Sequence, residues 1–105
     1  MIEEKRRYAR SEVRWSVTLK TSRGSMEAET KDASLGGVFI RCRNPLSPDE
    51  VLAMVVKIPD LEQPLKIDGR VIWSNISGSD NEFTPHGMGV LFTEIFPDDR
   101  QLSLL

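Results

Sequence analysis

Val13-Arg14-Trp15-Ser16-Val17-Thr18-Leu19-Lys20 alternates apolar and polar residues without a break. Successive side chains of a strand point to opposite faces. Val13, Trp15, Val17 and Leu19 therefore share one face, and Arg14, Ser16, Thr18 and Lys20 the other, as in a half-buried strand. The pattern recurs along the chain. Ser22-Arg23-Gly24-Ser25 reads as a hairpin turn, after which Met26, Ala28 and Thr30 carry the alternation to Asp32. Past a double glycine, Val38, Ile40 and Cys42 alternate with Phe39, Arg41 and Arg43.

Asn44-Pro45-Leu46-Ser47-Pro48 cannot continue a ladder, because proline has no N–H to donate, and marks a turn. Val51 to Ile58 is a nearly unbroken apolar run of strand length, as in a buried strand. Leu65, Ile67, Gly69, Val71 and Trp73 then share a face opposite Lys66, Asp68 and Arg70, with Gly69 suggesting a bulge or bend. Asn75 to Pro85 is polar and aperiodic, and Met88, Val90 and Phe92 form a last strand. Pro97-Asp98-Asp99 puts a proline and two acids where a helix would start, which predicts a short C-terminal helical turn.

The tally is six strands joined by turns, with no helix between them. That predicts an all-β, antiparallel fold. Closure into a small six-stranded β-barrel would leave no exposed strand edge. A chain of 105 residues makes one domain. At this size folding buries roughly 65% of the unfolded surface, enough for one modest core without staples. Residues 11–105 are read as the barrel, and residues 1–10, too polar for a core, as a flexible basic N-terminal arm.

Charge is local in this chain. The formal net charge is −2, which argues against binding a nucleic-acid polymer through global charge. Lys5, Arg6, Arg7 and Arg10 nevertheless cluster in the arm, while acids are spread along the rest. With Cys42 as its single cysteine the chain forms no internal disulfide, which fits a reducing cytoplasm. No apolar run approaches the roughly 18 residues of a membrane span, and the charged start does not read as a secretory signal.

Two segments carry chemistry. Arg6-Arg7-Tyr8-Ala9-Arg10 fits RxxxR, and Asp32-Ala33-Ser34-Leu35-Gly36-Gly37 fits DxSxxG. Arginine presents a planar, permanently charged fork that grips a phosphate or the O6/N7 edge of guanine. Each good guanine fork contributes roughly 1–3 kcal/mol of discrimination. An aspartate carboxylate only accepts hydrogen bonds, so Asp32 suits the N1–H and N2–H₂ edge of guanine and not a phosphate. Ser34 can bond a phosphate oxygen or its own turn. Gly36 and Gly37 let backbone approach a ligand with no Cβ in the way. A ligand carrying both guanine and phosphate would use all of these groups, and a cyclic dinucleotide has two of each. Taken singly, an N-terminal basic cluster is most often a solvated tail, and DxSxxG is most often a local turn.

On these two motifs, and on Gly69-Arg70-Val71-Ile72-Trp73 and Gly87-Met88-Gly89-Val90-Leu91-Phe92, nearly the whole chain resembles a PilZ domain, the bacterial cyclic di-GMP receptor module. The resemblance implies a six-stranded barrel that takes its ligand on the outer surface. It implies that Arg6 and Arg10 clamp phosphates and guanine, with Arg7 assisting. Asp32 and Ser34 would hold the ligand from the barrel side, and Gly37 would leave room for it. Trp73 is either an aromatic wall near the ligand or a core residue in alternation with Val71. Lys5, just before RxxxR, bears on whether one ligand or a stacked pair binds. The short C-terminus departs from relatives with a longer terminal helix, which argues for a monomer or weak dimer.

The expected function is a cyclic di-GMP receptor and adaptor that relays the messenger to a protein effector, with no cofactor and no catalysis. The alternative is a protein-interaction module of the same fold that binds no nucleotide. A small barrel binding RNA or DNA would interleave exposed aromatics with basic residues, and the arm has only Tyr8. His86 has no second His or Cys at metal spacing, which argues against zinc. Ser34 lacks the context of a nucleophile elbow. Cys42, in phase with Val38 and Ile40, reads as a small buried hydrophobe.

Overall fold

The computed structural model describes residues 11–75 and 86–96. The N-terminal arm, most of the polar loop before His86 and the expected C-terminal turn lie outside these residues. Seven strands are present: β1 (Ser11–Glu12), β2 (Ser16–Thr21), β3 (Gly24–Ala33), β4 (Gly37–Arg41), β5 (Val51–Lys57), β6 (Leu65–Asn75) and β7 (Gly87–Phe96). All pairings are antiparallel, in the order β3-β2-β5-β6-β7-β4, and β4 pairs back onto β3. Six strands thus close a barrel, and the two-residue β1 is added beside the end of β3.

The alternation holds as expected along β2. Val17 and Leu19 are buried, whereas Thr18 and Lys20 are not. Val17, Leu19, Ile40, Met54, Val71, Met88 and Val90 are almost fully inaccessible and fill the barrel. The hairpin between β2 and β3 is the two-residue turn Ser22-Arg23, and Gly24 takes φ = 109°, a backbone state that glycine adopts without steric cost. The run from Val51 to Ile58 is a strand buried on one face only. Leu52, Met54 and Val56 point inward, while Val51 is 70% exposed.

The first strand departs from its expected extent. Val13 to Trp15 is not strand, and Thr30 is the reason. Its hydroxyl donates to the Val13 carbonyl (2.6 Å) and accepts from the Trp15 N–H (2.9 Å). Its own N–H donates to the Trp15 carbonyl (2.9 Å). This buried side chain thereby ties down the segment between β1 and β2 and keeps its own polar atom satisfied.

The barrel has unlike ends. One is closed by the loop after β4, where Leu46 is buried and its N–H points at Met88 Sδ (3.4 Å). The Asp49 N–H donates to the Val71 carbonyl and the Val71 N–H to the Glu50 carbonyl. Glu50 also accepts from the Ser47 N–H (2.6 Å) and forms an ion pair with Arg23 (3.2 Å). The other end opens as an apolar cavity of about 490 Å³, with Val13, Trp15, Leu35, Ile58, Phe92 and Ile95 among its walls. Cys42 packs half-buried against the core, and burial pushes its thiol up to about 11, so it is protonated and unreactive at neutral pH.

Candidate functional site

Three bulges interrupt the ladders, and two of them build the outer surface. A bulge adds one residue to a strand and so reverses which face the following side chains occupy. In β3, Thr30 pairs with Ile40 and Asp32 with Phe39, which leaves Lys31 as the extra residue. Thr30 faces the core, and without the bulge Asp32 would face it too. With the bulge, Asp32 shares the outer face with Phe39. In β6, Val71 pairs with Val90 and Trp73 with Gly89, so Ile72 is the extra residue. The phase of β6 therefore changes between Val71, which is wholly buried, and Trp73, which is 48% exposed. This overturns the core alternative for Trp73. The third bulge, opposite Asp68 and Gly69, bears out the irregularity expected at Gly69.

The registers then line up one row across the outside of four strands. Asp32 of β3 pairs with Phe39 of β4, Phe39 with Gly89 of β7, and Gly89 with Trp73 of β6. Glu12 of β1 extends the row beyond Asp32. Neighbouring strands lie about 4.8 Å apart, so Asp32 and Trp73 are separated by roughly 14 Å at the backbone. Phe39 and Trp73 lean together over the glycine between them, with ring centroids 5.2 Å apart and planes tilted by 32°. A Cβ at Gly89 would come within 2.6 Å of Trp73 Nε1, and one at Gly87 would strike the Ile40 carbonyl and crowd the Phe39 ring. These glycines strip one strand of side chains so that two aromatic rings can lie across it. Phe39 is outside the barrel, as its alternation with Val38 and Ile40 requires, yet it is buried beneath this contact.

The DxSxxG segment forms the end of the β3–β4 hairpin. The Ser34 N–H donates to the Gly37 carbonyl (2.9 Å), and the Gly36 N–H donates to Ser34 Oγ (3.3 Å). The serine hydroxyl thus braces its own turn, the local role such a serine often takes. The Gly36 carbonyl accepts from the Phe92 N–H (2.9 Å), which fastens the turn to β7. Gly37 is needed inside the fold, because a Cβ there would sit 2.5 Å from the Val90 carbonyl oxygen.

Asp32, Ser34, Gly36 and Gly37 therefore come together at one corner of the barrel. Trp73 shares their outer surface but lies three strands away. Lys5, Arg6, Arg7 and Arg10 fall outside the described residues. The chain enters beside the same corner, however, because Ser11 pairs with Ala33 and Glu12 with Asp32. Arg10 is covalently joined to a residue that is itself paired with the centre of the DxSxxG segment.

Sequence reasoning assigned no role to Phe39, Gly87 or Gly89. The signal was present in Gly87-Met88-Gly89-Val90, where two glycines fall on the outer face of a strand whose inner face is core. Among the described residues no group of His, Cys, Asp and Glu could hold a metal ion, and no helix is long and apolar enough to cross a membrane. His86 uses its carbonyl to accept the Cys42 N–H (3.3 Å).

This barrel is similar to the solved structure of the Bacillus subtilis inhibitor of motility (MotI/DgrA), with a TM-score of 0.71 and 20% sequence identity. The match covers 93% of this chain and 46% of that one, so the present chain spans about half the length of that protein. At this identity the likeness shows the fold. No curated protein matches the sequence. The family model of the PilZ domain matches residues 4–104, nearly the full length, and the chain belongs to the PilZ domain family.

Proposed function

We propose that this PilZ domain is a receptor for cyclic di-GMP that relays the messenger to a protein effector. The observation that supports it best is the pairing of Ser11 with Ala33 and of Glu12 with Asp32, which delivers the chain directly after RxxxR to the DxSxxG corner. In this reading the two motifs, separated in sequence by some twenty residues, act on one ligand.

In this reading Asp32 accepts hydrogen bonds from the N1–H and N2–H₂ edge of one guanine. Arg6, Arg7 and Arg10 supply forks for the phosphates and for guanine O6/N7, and Lys5 adds charge beside them. Gly36 and Gly37 keep the corner low. Ser34 acts mainly by holding the turn in shape, since its hydroxyl already accepts the Gly36 N–H. Trp73 and Phe39 give a base a surface to lie on at the far end of the row. Among the described residues, the walls of the apolar cavity at the barrel mouth carry no charged side chain, which favours the outer face for a phosphate. Charge neutralisation draws the arm onto the barrel, and the surface so formed is what an effector reads. Ordering the arm offsets part of the binding energy, and a Kd of about 1 μM, near −8 kcal/mol, is expected.

Isothermal titration of the protein with cyclic di-GMP, with GTP and cyclic di-AMP as controls, tests the reading. Selective heat that Arg10→Ala and Asp32→Ala both diminish supports it. A flat titration, together with an unchanged melting temperature at high ligand, would leave a barrel that acts through protein contacts alone.

A further inference from the structure

The outer face of β5, β6 and β7 carries an apolar patch centred on one arginine. In register, Leu91 of β7 lies beside Arg70 of β6, and Arg70 beside Val51 of β5. Val51, Ile72 and Leu91 are 70, 54 and 41% exposed, so three large apolar side chains face solvent around Arg70. Single exposed hydrophobes need no explanation, but a cluster of them does. Among the described residues Arg70 has no ion-pair partner.

We propose that this patch docks a segment of a partner protein that presents apolar side chains around a single carboxylate, which pairs with Arg70. This deepens the effector-relay half of the function proposed above, and the patch lies beyond the DxSxxG corner, with Leu91 paired to Gly37. The chemistry of the patch selects the occupant. Arginine is among the residues most enriched at the energetic centres of protein interfaces, where a charge pair and its apolar surround are desolvated together. The next outward pair along β6 and β7 is Asp68 opposite Glu94. Two acids on that border repel a phosphate-rich surface and confine a partner's carboxylate to the Arg70 position. A second copy seated symmetrically on the patch would bring Arg70 against its own counterpart. The strands beneath are paired on both sides, so the partner docks through side chains and not by adding a strand.

A random 12-residue peptide library displayed on phage, selected on the full chain and in parallel on Arg70→Glu, tests this. Enriched peptides are then synthesised and titrated by fluorescence anisotropy against both proteins and against Val51→Glu. Neither residue belongs to the ligand set, so both variants should bind cyclic di-GMP like the parent. This separates failure of the patch from failure of the receptor reading. The expected result is a class of peptides with one Asp or Glu flanked by Leu, Ile, Phe or Trp. Their affinity should fall at least tenfold on Arg70→Glu and on Val51→Glu. Replacing their acid with Lys should restore binding to Arg70→Glu. Absence of any class that Arg70→Glu loses would overturn the proposal. So would sedimentation showing a dimer of the parent chain that Val51→Glu dissociates, since the patch would then serve a second copy.

Discussion

The bulge at Lys31 and the bulge at Ile72 make the same change to their strands and are held in place by different means. Each adds one residue, and each turns the next side chain, Asp32 or Trp73, from the core to the outer face. The β3 bulge is fastened from its own neighbourhood. The Val13 N–H donates to the Lys31 carbonyl (3.1 Å), and Thr30 gathers Val13 and Trp15 with three hydrogen bonds. The β6 bulge is fastened from a distance. The loop at Asp49 and Glu50 bonds both backbone groups of Val71, and the bare backbone at Gly89 receives the indole. The first arrangement couples the presentation of a carboxylate to the segment between β1 and β2. The second fixes an aromatic surface independently of that segment. A receptor whose affinity depends on the arm should respond to damage at the first far more than at the second.

The largest effect should come from filling the gap between the two. Gly87→Ala drives a Cβ into the Ile40 carbonyl, which is backbone and cannot swing aside. Such overpacking costs about 3 kcal/mol, measurable as a lower urea midpoint at unchanged m-value. A midpoint equal to that of the parent would show that β4 and β7 do not approach as described.

Thr30→Val removes the hydroxyl and strands the Trp15 N–H and the Val13 carbonyl. Leaving buried polar groups unpaired costs about 2 kcal/mol. This variant should also weaken cyclic di-GMP binding although Thr30 does not face the ligand surface. A loss of stability without a loss of affinity would break the link between the first bulge and the arm.

Asp32→Ala and Trp73→Ala sharpen the contrast in calorimetric titrations. Asp32→Ala should lower affinity about 30-fold, or ~2 kcal/mol, the worth of hydrogen bonds to a charged acceptor. Trp73→Ala should lower it about fivefold, or ~1 kcal/mol, the low end for stacking a base on an aromatic ring. The opposite order would place the ligand over the second bulge and not the first.

Most of the fold was legible because alternation is local. β2 and β7 could be read from their apolar phase, β5 from its unbroken apolar run although only one of its faces is buried, and the hairpin from Ser22-Arg23-Gly24. The DxSxxG corner was legible because its chemistry sits in six consecutive residues. What alternation does not carry is a change of phase. Nothing near Ile72 in sequence announces that Val71 will bond to Glu50, some twenty residues earlier, so Trp73 could be placed on either face. Thr30 looked like one more inward residue of a strand, and its capture of Val13 and Trp15 depends on a contact between separate strands. Phe39 was correctly set outside the barrel. That it lies buried beneath Trp73 depends on two glycines in a strand remote from both in sequence.

The most direct test of the account is to map cyclic di-GMP on the barrel by amide and indole shifts in two-dimensional NMR of the ¹⁵N-labelled chain. The account predicts that the largest changes follow the outer row and its corner, at Glu12, Asp32, Gly36, Gly37 and Phe39, with a smaller change at the Trp73 indole. Amides around the cavity at the barrel mouth, such as those of Ile58 and Leu65, should stay nearly still. Changes concentrated around Ile58 and Leu65, on the side of the mouth away from the DxSxxG corner, or none at saturating ligand, would contradict it.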